Sequence, residues 1–179
     1  MDKDATAQLA SSIVTSSILC AQPFNDIIED KEIENGSNNW ARMVFEFAYF
    51  FIHMIQRETL KKYGSETRDK LFDGIFLIIA STTIDTIFGE MFNELLPKEM
   101  KDGIILEFTP RYNQAEDEYS KCKKIMSVER PFTDAALLTV LSQRVAQVYG
   151  STFNPEIYRI CHTQATENFK QDEYGWYDR

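Results

Sequence analysis

"EFAYFFIHMIQR", Glu46–Arg57, holds four aromatic rings, and Phe45 just before it makes a fifth. The same stretch carries a glutamate, a histidine and an arginine. The spacing of those polar groups decides the fold. A helix turns by about 100° per residue. With Glu46 at zero on that wheel, Arg42, Tyr49, His53, Gln56 and Arg57 share with it an arc of about 100°. Phe45, Phe47, Phe50, Phe51, Ile52, Met54 and Ile55 fill the remainder. One polar stripe on a helix that is apolar around most of its circumference is the pattern of a mostly buried helix. Phe47 and Phe51, opposite the stripe, are expected in the core.

Working outward, this helix starts near Asn39 and ends near Tyr63, with Gly64 suited to the position just past its end. Ser65, followed by Glu66 and Asp69, reads as a new N-terminus with acids in its first turn. So tight a link predicts an antiparallel helical hairpin. The second arm runs from Glu66 to near Leu96, weakened by Gly74 and Gly89, and Pro97 opens the next segment. "GIILEF", Gly103–Phe108, reads as either a short strand or a helix end. Thr109-Pro110 and Asn154-Pro155 each place a capping side chain before a proline, which predicts helix starts at Pro110 and Pro155. The helices so predicted cover 110–126, 132–149 and 155–170. At the other end, residues 5–20 form a first helix with Leu9, Ile13 and Val14 on one side, interrupted by Pro23. No alternating run with hairpin turns suggests paired strands. The expected fold class is therefore all-α: one helical bundle over 1–179 of about six or seven helices, built around the long hairpin. Residues 1–38 read as an acidic N-terminal arm and 171–179 as an aromatic C-terminal tail.

The net charge of −9 over 179 residues makes nucleic acid an improbable partner, because most of the surface would repel a polyanion. Lys121, Lys123 and Lys124 follow Glu116, Asp117 and Glu118. That order suits acids and bases along one helix better than a nucleic-acid face. Cys20, Cys122 and Cys161 are odd in number, far apart and without metal-binding spacing, so they read as reduced thiols in a cytoplasmic protein. No secretory n-region opens the sequence. The uncharged residues 5–22 include Ser11, Ser12, Ser16 and Ser17, which argues against a span, and "IFLIIA", Ile75–Ala80, is too short for one. No membrane span is expected.

Three readings of the stripe stay open. It is the helix's solvated face, since charged residues are mostly exposed. It lines a cleft, where His53 exchanges protons near neutral pH and Arg57 holds an anion. Or it is a buried polar network completed by Asp69 or Asp73 from the second arm. Catalytic and metal signals are missing. Phe50 lies three residues before His53 and Arg159 three before His162, so neither histidine has the Glu-x-x-His pattern of a di-iron site. The seven glycines make no phosphate-binding loop. Cys161 and His162 are adjacent, but neighbours on a helix point about 100° apart and do not form a catalytic pair; they read as a buried thiol and a surface imidazole. No catalytic residue, metal ligand or cofactor is assigned.

The pattern E-F-x-Y-F-F-x-H-x-x-x-R, a glycine turn, R-D-x-L-x-D (Arg68, Asp69, Leu71 and Asp73) and the later "NQAEDEYSKCKK" resemble a group of small uncharacterised bacterial helical proteins. The likeness spans residues 46–124. It implies a stand-alone bacterial helical domain and carries no mechanism.

Thirteen Phe, eight Tyr and two Trp suggest a core, or an interface, built largely from rings. Tyr174, Trp176 and Tyr177 in the tail either cover the bundle's own core or dock on another chain, which makes them the candidate partner-binding residues. The expected function is protein interaction, including self-association as a homo-oligomer. The alternative is a small-molecule binding protein, or an enzyme, with a pocket on the stripe, for which Glu46, Tyr49, His53 and Arg57 are the candidate ligand-binding residues. A pocket bordered by Phe would suit a ligand with an apolar body and an anionic end.

Overall fold

The computed structural model describes residues 3–24, 36–91, 96–125, 136–151 and 154–168. Seven α-helices lie among them: α1 (Lys3–Ala21), α2 (Gly36–Tyr63), α3 (Ser65–Phe72), α4 (Ile75–Ile84), α5 (Lys98–Tyr119), α6 (Leu137–Val148) and α7 (Pro155–Asn168). A short 3₁₀ turn, Gln22–Phe24, follows α1 at Pro23, and α4 continues as π-helix through Asp85–Met91. No strand occurs among the described residues. Lys124 and Ala136 form an isolated parallel bridge. Beside it Leu137 and Leu138 donate their N–H groups to the carbonyls of Lys124 and Ile125, both at 3.0 Å, which ties the start of α6 to the chain beyond α5. The fold is the expected all-α bundle.

α2 is its axis, packing against α1, α3, α4, α5 and α6, while α7 closes the bundle against α1 and α6. From Trp40 to Met54 every residue except Arg42 is buried. Phe47 is 0% exposed and Phe51 1%, so both lie in the core as the wheel requires. Phe47 meets Phe24 at 6.1 Å between ring centroids, and Phe50 meets Tyr119 at 6.1 Å edge to face. Such offset and edge-on geometries suit the ring quadrupole.

The hairpin forms at Gly64. Its φ of 83° lies where only glycine is unstrained, and its N–H reaches the Leu60 carbonyl at 3.0 Å. The chain then doubles back, bringing Phe72 and Phe76 beside Gln56. The second arm is not one helix. It breaks at Asp73–Gly74, where Gly74 takes φ 74° and α4 starts afresh. The segment Ser65–Gly89 around this break is long and apolar enough, by length and composition, to cross a bilayer. "IFLIIA" alone is too short to show this. Within the bundle Ile75, Ile79, Ala80, Ile84, Ile87 and Phe88 are buried, and Leu77 is exposed.

Pro110 does not start a helix. α5 runs straight through it and includes Gly103–Phe108, which is neither strand nor helix end. Pro110 cannot donate to the Leu106 carbonyl. Both residues sit on an exposed face, Leu106 at 75%, where water can take the vacant acceptor. The same reasoning succeeds at Pro155. Asn154 accepts from the N–H of Glu156 at 2.9 Å, so a capping side chain and a proline together open α7. The predicted start of α6 near 132 and residues 25–35 of the acidic arm lie outside the described residues, as do Tyr174, Trp176 and Tyr177. All three cysteines are free and buried.

Candidate functional site

α5 presents Phe108, Tyr112, Ala115 and Tyr119 at helical spacing, all buried against the bundle. This face lies along the α2 stripe. Tyr49 packs on Phe108 with ring centroids 4.9 Å apart and on Tyr112 at 6.1 Å. The solvated-face reading is therefore wrong. Glu46 is 9% exposed, Tyr49 0% and His53 6%; Arg57 is half-buried, and Arg42 is exposed. The stripe is polar because it meets polar groups of α5 and α6.

Glu46 is held by Arg144 from α6. Nε donates to Oε2 at 2.6 Å and Nη2 to Oε1 at 3.2 Å, while Nη1 reaches Glu118 Oε2 at 3.1 Å. The two-pronged contact matches guanidinium to carboxylate geometry. Burial pushes the Glu46 carboxyl up from the usual range, and Arg144 opposes that rise. For Arg144 burial acts against the charge, but the charge and hydrogen bonds of Glu46, with Tyr119 and Glu118, together raise the guanidinium above its ordinary value.

His53 is oriented by Glu116 of α5, with Nδ1 2.7 Å from Oε2. A carboxylate accepts only, so Nδ1 carries the proton and a neutral ring keeps its lone pair on Nε2. Nε2 is buried and has no partner among the described residues. The Tyr112 hydroxyl stands 3.0 Å from Glu116 Oε2 and 2.7 Å from Gln56 Oε1, one hydrogen between two acceptors. Burial alone would raise the Glu116 carboxyl, but the hydrogen bonds from His53 and Tyr112 and the charge of Arg68 hold it below the usual range.

Two concavities flank these contacts, and they divide the stripe. Glu46 and Tyr49 border one of about 220 Å³ between the first half of α2 and α5. His53 and Arg57 border another of about 410 Å³, completed by Arg68, Glu116, Tyr119 and Lys123. The four candidate residues thus share one helix face but not one cavity. Rings of Phe border the first cavity and not the second.

The acids expected to complete a network, Asp69 and Asp73, do not. Asp69 pairs with its neighbour Arg68 at 2.6 Å, and among the described residues Arg57 makes only a long contact, 3.4 Å, to the Lys123 carbonyl. Glu116, Glu118, Arg144, Arg68 and Lys123 were missed as site residues. The signal for Glu116 was its spacing from Phe108 and Tyr112, obscured by taking Pro110 as a helix start. The signal for Arg144 was a single charge in "LLTVLSQRVAQV". His162 is half-buried, and Cys161 beside it is buried in a setting that raises its thiol. No group of three or more potential metal ligands occurs among the described residues.

The class defined by fold and site is an all-α bundle with a buried, charge-paired seam between two concavities. Compared with family models, curated proteins and solved structures, the chain matches none.

Proposed function

We propose that this chain is a small-molecule binding protein whose ligand is a small anion held at the Arg57 end of the stripe. One observation carries the reading. Arg57 and Lys123, together with Arg68, which is already paired with Asp69, border with His53 a single cavity of about 410 Å³, in a chain of net charge −9. Against that overall charge, a local cationic concavity is what an anionic ligand requires. Glu116 also borders it, but His53 and Tyr112 already occupy its Oε2. A planar guanidinium suits a carboxylate or phosphate, and an oriented imidazole can donate to the anion once protonated.

The test uses inorganic phosphate and small dicarboxylates as probes, followed by calorimetry on the full chain. Arg57→Lys should weaken binding about tenfold, because a point charge cannot reproduce the two-pronged contact. His53→Ala should weaken it more than it lowers the melting temperature. Unchanged affinity in both Arg57→Lys and Lys123→Ala would exclude this cavity.

A second reading, self-association, has its own support. Leu77 and Ile78 on α4 and Met100 and Leu106 on α5 are exposed by 62%, 36%, 55% and 75%, on two helices that pack together. Exposed apolar side chains on adjacent helices are a common basis for contact between chains. Sedimentation at micromolar concentration should give at least a dimer, dispersed by Leu106→Lys. A monomer throughout that range would remove this reading and leave the ligand reading intact.

A further inference from the structure

The cavity at the Glu46–Tyr49 end of the stripe has no part in the anion reading. Its wall is a ring cluster: Phe45 meets Phe108 edge to face at 5.1 Å, and Tyr49 meets Phe108 at 4.9 Å. Ile104 adds an aliphatic side, so the body of any occupant would rest on apolar surface fixed by packing.

The charges around it are unequally committed. Glu46 is taken by Arg144. Glu107 accepts from Arg111 at 3.1 and 2.8 Å. Arg42 is exposed and has no hydrogen bond or ion pair among the described residues. The cation left to meet a ligand is therefore at the rim, beside an apolar interior.

Gly103 supplies a separate observation. It lies inside α5 and borders the cavity. A Cβ built there would meet nothing within 4 Å, and its φ is not in the left-handed region. Neither packing nor backbone requires glycine at this position, although glycine weakens a helix. The position is exposed, and the open space around a Cβ there leaves room for a longer side chain beside the cavity it borders.

Size limits the ligand. A cavity of about 220 Å³ exceeds the roughly 150 Å³ that holds benzene and falls below the roughly 300 Å³ at which pockets for drug-sized molecules begin. We propose that this cavity binds a compact aryl or short alkyl monocarboxylate, its apolar body on Phe45, Ile104 and Phe108 and its carboxylate on Arg42.

The probe is 3-phenylpropanoate, compared with the neutral 3-phenylpropan-1-ol, titrated into the full chain and followed by nuclear magnetic resonance. The acid should bind at least fivefold more tightly than the alcohol. Arg42→Ala should abolish that preference while the alcohol binds as before. Gly103→Met, which places a side chain in the open space, should remove binding of both, and Gly103→Ala should fold at least as well as the native chain. Excess inorganic phosphate, the probe for the Arg57 cavity, should leave the acid's affinity unchanged, so failure here is distinguishable from failure of the anion site. Equal binding of acid and alcohol, native-like binding by Gly103→Met, or no acid binding at millimolar concentration would each overturn the proposal.

Discussion

Arg144→Ala is expected to lower stability by about 3–5 kcal/mol at neutral pH, because it leaves the Glu46 carboxylate buried without its counter-ion. Both side chains of the pair are nearly covered, at 7% and 11% exposure. The loss should be largest at neutral pH and shrink in acid. Burial already pushes the Glu46 carboxyl up, and removing Arg144 takes away the charge that opposes this rise. In the variant the folded chain then holds its proton at a higher pH than the unfolded chain does. The deficit is thus relieved as pH falls through that raised value and grows as pH rises through it. Replacing both partners, Glu46→Leu with Arg144→Met, should cost far less than either single change, since an apolar pair of similar volume needs no compensation. Glu118, which also touches Arg144, is 38% exposed and can turn to water. Denaturant unfolding of the three variants at two pH values measures all of this. A loss below about 1 kcal/mol for Arg144→Ala would mean that the pair is solvated in solution.

Phe47→Ala and Phe51→Ala should each cost about 3–5 kcal/mol, combining lost transfer free energy with the cavity left behind. The two sites differ in how far their surroundings can close. Phe47 packs against Phe24 from the turn after α1, whereas Phe51 has Phe50 at 5.7 Å within its own helix. Truncating Phe47 should therefore also loosen the seating of α1, seen as faster amide exchange at Ile13 and Val14, both buried. Losses below about 1 kcal/mol at both positions would show that α2 is turned about its axis relative to the described packing.

Much of the fold was legible because it depends on local rules. The period of the aromatic run, the glycine at 64 and the Asn154-Pro155 cap act within a few residues of where they stand, and each operates as expected. Two local rules failed for stated reasons. Pro110 looks like a start, but an exposed proline is tolerated inside α5. Gly74 looks like a mere weakness, yet the backbone takes a left-handed turn there and divides the arm.

By itself the sequence determined that Glu46, Tyr49, His53 and Arg57 share one face of a helix, because 3.6 residues per turn is a property of the backbone alone. It also determined that Phe47 and Phe51 go inside, because between Trp40 and Ile55 nothing polar lies on their side of that helix. What covers the polar face was decided only by tertiary structure. Glu46 meets Arg144, 98 residues away, and His53 meets Glu116, 63 residues away. No periodicity within α2 encodes such partners. They are chosen by which helices pack together, and a buried carboxylate or imidazole is stable only where packing delivers a group of matching charge and geometry.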